Sequence, residues 1–421
     1  MSILQRLRNN IEAIKYALTG RGNANTLDMY SGFGGIGAVL YAGQPKERWP
    51  KSMLPYWDDI ERLKQVIASA GGGVDTFMDS LKSSTLTAYY TPMKFVSGIA
   101  KALDSKLLIG DRVLDPAAGS GAFVDAILDW CHKEPKQIVA YEKDLLTGVI
   151  LNTRMKRDSD IVNVRVNGFE TISKDELGTY DLVTTNVPFG DFAVYDPDYT
   201  VSKDAELRKA AKYIHRYYVL KGLDCLRDGG IEAYIITSNY LNHDFTQIVK
   251  VLEQARLIGA YRLPNNLFKE AGTEVGTDLL VLQKDKQKGG LTVDETMLIT
   301  PSVEDECYTN MYFVTNPDHV IATRTEKGTD AYGKPTFIYK YDGDEKAMAD
   351  AMRMVLSKDL ADNVDTKLYK KGAKKKEEPK QKKQTNSKNR YRFTDNETGD
   401  LIKSIAEVYN RLFVNEATTF T

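Results

Sequence analysis

The spacing of apolar positions changes character near residue 111. Before it, apolar residues recur three and four apart over residues 1–20, about 53–70 and 78–103, as amphipathic helices require. Glycines 71–73 separate the second stretch from the third, and Thr91-Pro92 interrupts the last. After it, short runs of branched and aromatic residues predict strands at 112–115, 138–142, 163–166, 181–186, 231–237, 257–263 and 277–283. Each of the first five precedes a segment long enough for a crossover helix, which predicts a parallel α/β sheet. The last two are joined by residues 264–276, which contain Gly272 and Gly276 and leave no room for a helical crossover. They should pair antiparallel at one edge of the sheet. The expected organisation is a helical region over 1–104, an α/β domain over 105–288 and a small mixed α/β region over 289–362. A Lys-rich disordered linker (363–393) and one amphipathic helix (394–421) follow.

Composition narrows the class. With 42% hydrophobic and 27% charged residues the chain reads as globular. Its apolar runs are strand-length, far below the roughly 20 residues a membrane helix needs. Residues 1–16 alternate charge with apolar positions and lack the continuous apolar stretch of a signal peptide. Three scattered cysteines (Cys131, Cys225, Cys307) argue against a disulfide framework and for a reducing, cytoplasmic setting. The four histidines lack metal-ligand spacing, and His215 reads as a helix-face residue. A net charge of −1 conceals an asymmetry: residues 367–392 hold 12 Lys/Arg against Glu377 and Glu378. Such a segment is either a solvated tether or a contact to nucleic-acid phosphates, which position without specifying sequence.

Candidate chemistry begins at Asp115-Pro116-Ala117-Ala118-Gly119-Ser120-Gly121, where a strand runs into a Gly-containing turn and opens a helix. Gly119 and Gly121 let backbone approach a ligand closely, and a helix amino terminus favours anionic groups. The next strand ends at Glu142, 21 residues beyond Gly121, where an acidic side chain is placed to accept hydrogen bonds from ribose hydroxyls. The fourth strand ends in Asn186-Val187-Pro188-Phe189-Gly190. In a doubly wound sheet the carboxyl ends of strands one and four line one crevice, so Asp115 and Asn186 should share a pocket. Gly32-Phe33-Gly34-Gly35-Ile36-Gly37 fits G-x-G-x-x-G, but no strand precedes it and a packing turn is expected. Asp191, Asp196 and Asp198 are expected on a polar surface loop.

Together these residues resemble the amino-methylating family of S-adenosylmethionine-dependent methyltransferases, whose fourth strand ends Asn-Pro-Pro-Phe or Asn-Pro-Pro-Tyr; Val187 stands here in place of the first proline. The resemblance implies a Rossmann-like class I fold with a seven-stranded, mostly parallel sheet. Asn186 and the main-chain carbonyl of Val187 would hold the target amine, with Pro188 keeping Val187 extended and Phe189 stacking on a flipped base. Tyr90, Thr91 and Pro92 are similar to the segment that touches the methionine end of the cofactor. Asp115, Pro116, Ala117, Gly119, Gly121 and Glu142 complete its expected site. Asn167, at the end of the third strand, stands where the family often carries an acidic residue near the adenine ring.

The motif order is that of gamma-class adenine methyltransferases and type I modification subunits. Residues 30–35, 86–92, 186–190 and 312–320 look most like the adenine methylase domain of large conjugative-element and phage proteins, often fused to a helicase. The resemblance spans about residues 28–360. It implies S-adenosylmethionine-dependent N6 methylation of a flipped adenine in double-stranded DNA, with a specificity or helicase subunit as a partner. Enzymes that methylate RNA or protein amides share the motif type, and a non-catalytic DNA-binding protein could keep the scaffold.

Overall fold

A computed structural model describes residues 1–330 and 333–374. The seven expected strands are present: β1 (Arg112–Asp115), β2 (Gln137–Glu142), β3 (Val162–Val166), β4 (Tyr180–Asn186), β5 (Leu226–Thr237), β6 (Ala255–Leu263) and β7 (Thr277–Lys284). They form one sheet in the order β3-β2-β1-β4-β5-β7-β6. The first five are mutually parallel, and β7 runs antiparallel to both β5 and β6. The edge hairpin is therefore as expected, with β7 inserted between β5 and β6. This is the Rossmann-like architecture of class I S-adenosylmethionine-dependent methyltransferases.

Alternation along the strands decides which core each side chain joins. Val113, Ile138, Leu182 and Ile231 face one cluster, whereas Leu114, Val139, Val183 and Tyr234 face the other. A sheet covered on both faces needs apolar residues at nearly every position, which is why these strands read as continuous apolar runs. The first face is covered by α1 (Ile3–Thr19), α2 (Trp57–Ser69), α3 (Val74–Thr85), α4 (Met93–Ser105), α5 (Ala122–Trp130) and α6 (Leu145–Arg154). The helix Ile214–Cys225 covers the second. Asp181 ties the sheet's lower end: its carboxylate accepts from the Asp111 and Arg112 amides (2.9 and 2.8 Å) and from Arg227 Nε at 2.5 Å.

Three expectations change. Between β3 and β4 there are only 3₁₀ turns at Phe169–Thr171 and Lys174–Glu176 rather than a crossover helix, because residues 167–179 hold too few apolar positions for a helix face. Asp196 is buried, not on the surface; its carboxylate pairs with Lys221 Nζ (2.8 Å) and accepts from Tyr217 OH (2.7 Å). The segment expected to be linker from residue 363 begins with a helix, Thr366–Lys374. Its docking depends on glycine, since a Cβ on Gly372 would lie 2.0 Å from the Asp228 carbonyl and one on Gly229 would lie 2.5 Å from that of Leu368. The rest of that linker and the expected last helix lie outside the described residues. The region after β7 is mixed as expected, but its helix Glu345–Asn363 packs back on α4, where a Cβ on Gly98 would come within 3.1 Å of the Ala349 carbonyl.

Candidate active site

At the end of β1, Asp115 is 1% exposed. Its Oδ1 accepts from the Ala117 amide (3.2 Å) and Thr185 Oγ1 (2.7 Å), while Oδ2 is buried with no partner among the described residues. Burial pushes this carboxyl up to about 7. The turn that follows needs its glycines: Gly119 has φ +56° and Gly121, which caps α5, has φ +98°. Glu142 closes the loop from β2. Its Oε2 accepts from the Gly119 amide at 2.9 Å and its Oε1 from the Asp144 amide at 2.7 Å. Burial first, and then the Asp144 carboxylate, push Glu142 up to about 8. The side chain expected at a ribose thus also fixes the glycine turn, with one further lone pair left on each oxygen.

The segment before α4 walls the same site. The Tyr90 ring lies where a Cβ on Gly119 would be (2.9 Å), and its hydroxyl meets Thr147 Oγ1 at 3.1 Å. Thr91 Oγ1 is buried with no partner among the described residues, and Pro92 leads into α4. Gly32-Phe33-Gly34 packs on this wall, as the packing-turn expectation requires. A Cβ on Gly32 would lie 2.7 Å from the Tyr90 ring, and one on Gly34 would lie 2.2 Å from the Ala88 carbonyl. Two α1 side chains hold the turn: Arg6 donates to the carbonyls of Gly34 (3.1 Å) and Ala271 (2.9 Å), and Asn10 Nδ2 to that of Gly32 (2.7 Å). Tyr30 OH meets Thr147 Oγ1 at 2.8 Å.

Asn186 ends β4 beside β1, as the parallel register Leu114↔Val183 requires. Its Nδ2 donates to the Tyr89 carbonyl at 2.8 Å, leaving Oδ1 buried with no partner among the described residues. Thr185 links this strand end to Asp115, so the ends of β1 and β4 lie side by side. Val187 is fully buried and its amide donates to the Ile235 carbonyl at 2.9 Å; Pro188 is half-buried. Phe189, expected to present a face to a base, is itself buried. It stacks on Tyr89 (centroids 5.8 Å, 21°) and meets Phe268 edge-on at 5.3 Å.

Asn167, just beyond β3, makes a local contact: its Oδ1 accepts from the next amide, that of Gly168, at 3.2 Å. Arg6, Asn10 and Thr147 were not anticipated. They belong to elements distant in sequence, and no local spacing marks them as neighbours of these turns. Among the described residues no group of three or more His, Cys, Asp or Glu is arranged to hold a metal ion, and no helix is long and apolar enough to cross a membrane.

The fold and this paired-strand site define a class I methyltransferase scaffold with an Asn-x-Pro-Phe strand end. A family model described as N-6 DNA Methylase matches residues 76–338, and the chain belongs to that family. It is 30% identical over 168 residues to the type II methyltransferase M.AccI of Acinetobacter calcoaceticus, a match covering 38% of this chain and 30% of that one. It is 25% identical over 209 residues to the defense against restriction protein B of Escherichia phage P1, covering 48% of this chain and 8% of that one. It is 26% identical over 214 residues to the type I restriction enzyme EcoEI methylase subunit of Escherichia coli, covering 47% and 42%. The chain thus matches less than half the length of each of these curated relatives. A solved type I methyltransferase subunit from Streptococcus thermophilus aligns over 66% of this chain and 70% of that one at 15% identity, TM-score 0.41. The type I EcoKI M protein aligns over 86% and 94% at 14% identity, TM-score 0.40.

Proposed function

We propose that this chain transfers the methyl group of S-adenosylmethionine to N6 of an adenine flipped out of double-stranded DNA. The observation that carries the reading is Asn186: the Tyr89 carbonyl holds its amide nitrogen, so a buried, unpartnered Oδ1 is left to accept from a substrate amine. An exocyclic amine is a weak nucleophile because its lone pair is delocalised into the ring. Asn186 Oδ1 and the Val187 carbonyl take its two N–H groups and favour a pyramidal nitrogen. Transfer would exchange the methyl's S–C bond for an N–C bond, leaving a neutral thioether, and the extra proton on nitrogen would pass to water, so positioning and electrostatics do most of the work. Stacking on Phe189 contributes about 1–3 kcal/mol and requires the Tyr89 ring to move aside.

The residues present fit the cofactor. Two buried carboxyls with raised proton affinity, one with an unpartnered oxygen, suit a cationic, hydroxyl-bearing ligand. Tyr90, Thr91, Asp115, Gly119, Gly121 and Glu142 would hold it, and Asn167 would neighbour its adenine. When bound, it supplies an electrophilic methyl on a sulfonium. A cytoplasmic setting and a partner that supplies sequence specificity belong to the same reading. Product analysis tests it: N6-methyladenine in DNA incubated with protein and cofactor is expected. Methylation confined to RNA or protein, or none at all, would overturn the assignment.

A further inference from the structure

A cavity of about 420 Å³ opens at the carboxyl end of β5, apart from the glycine turn. Its lining includes Thr237, the last residue of β5, and Asp191, five residues beyond Asn186, while Asn186 itself pairs with Ile235 of β5. It therefore lies at the same end of the sheet as the candidate active site, which is where open α/β sheets bind ligands. Resting on the DNA-methyltransferase reading, we propose that it is a subsite for a second, unpaired nucleobase of the substrate strand, read by His215, Tyr240 and Asn239.

His215 is only 6% exposed, and both ring nitrogens are buried without a hydrogen-bond partner among the described residues. Tyr240, 2% exposed, likewise has an unpartnered buried hydroxyl. Buried polar groups are nearly always paired, so two such side chains lining one cavity point to a ligand with matching groups. Burial drives the imidazole down to about 4 against the opposing pull of Asp191, so it stays neutral at physiological pH. A neutral imidazole offers one donor and one acceptor, which is the currency of a base edge. The exposed amide of Asn239 adds both kinds of group.

Charge argues against a phosphate. Asp191, Asp244 and Asp330 line the cavity, and the cation of Arg216 is committed to Asp244 through bonds of 2.8 and 2.5 Å while lying 4.1 Å over the Tyr213 ring. Exposed Lys334 at the rim is placed for the attached backbone instead. Half-exposed Tyr213 offers a stacking face, and the loop leaving Asp191 presents Phe192 and Tyr195 to solvent (38% and 74% exposed). Aromatic faces of this kind hold splayed single-stranded bases.

The test is fluorescence anisotropy of the full chain with dye-labelled dA, dC, dG and dT oligonucleotides, comparing native protein with Asn239→Ala and His215→Gln. Native protein should separate its best from its worst oligonucleotide by at least about fivefold, the low end of what one base-edge pair discriminates. Asn239→Ala, at an exposed position, should bring that ratio within about twofold; His215→Gln, with unchanged thermal unfolding, should do the same. No discrimination by the native protein, or equal discrimination in Asn239→Ala, overturns the subsite. Methylation assays run alongside separate the two readings: discrimination without methyl transfer sinks the reaction and keeps the subsite.

Discussion

With Glu142 pushed up to about 8, the free site at pH 7 holds mostly the carboxylic acid, about one molecule in ten being ionised. A ribose diol donates hydrogen bonds, and its best partner is the carboxylate. Cofactor binding should therefore draw a proton off Glu142, with affinity rising towards pH 8 and levelling above it. Between pH 7.0 and 8.5 the ionised fraction grows about eightfold, and the Kd should fall by roughly that factor. Calorimetric titration in paired buffers of different ionisation enthalpy reads both quantities, and proton release should approach one per site at pH 7. Glu142→Gln removes the titrating group. Its Kd should change less than about twofold over the window, the residue coming from Asp115, and should be weaker at pH 8.5 by about 1.5–3 kcal/mol, the worth of hydrogen bonds to a charged acceptor. The stability sign follows from the same shift. A raised carboxyl stabilises the free fold fully below its unfolded value of about 4.5, and that contribution is lost as pH rises through about 8. The gap in Tm between cofactor-bound and free protein should therefore widen across that range. An affinity independent of pH in the native protein, or an unchanged slope in Glu142→Gln, would refute the assignment of Glu142 to the cofactor.

Gly34→Ala would place a methyl 2.2 Å from the Ala88 carbonyl and displace Tyr89, whose own carbonyl orients Asn186. A loss of about 1–3 kcal/mol in denaturant unfolding and a fall in kcat of at least about tenfold are expected; native kcat would show that the wall does not position Asn186. Asp278→Asn would leave Arg262, buried and held through bonds of 2.7 and 3.0 Å, without its counter-ion at the edge hairpin. Urea unfolding should report a loss of about 3–5 kcal/mol, and a loss under about 1 would mean that Asn242, which also accepts from Arg262, suffices.

How far the sequence could be read depended on the distance over which each constraint acts. Strand existence was legible because burial on both faces forces continuous apolar runs, and the antiparallel pairing of β6 with β7 because residues 264–276 are too few for a crossover. The placement of Asp115 and Asn186 at the same end of adjacent strands followed from sheet topology, a long-range inference licensed by a regular rule. The clamp of Arg6 and Asn10 on the Gly32–Gly34 turn follows from no such rule, since only tertiary packing brings α1 to that turn. Asp196 read as surface because one acidic residue in a loop of three gives no hint of Lys221, which arrives on a helix 25 residues later. His215 read as a helix-face residue, and it is one; that its ring lacks a partner among the described residues depends on elements from three separate parts of the chain.

The measurement that bears most directly on the central claim is methyl transfer from labelled S-adenosylmethionine to unmethylated DNA by the native chain and by Asn186→Ala. Incorporation as N6-methyladenine that falls by at least about a hundredfold in the variant, with cofactor affinity unchanged, is the expected result. Equal incorporation by both proteins, or methylation at any other atom, would contradict the assignment of the Asn186 amide oxygen to the target amine.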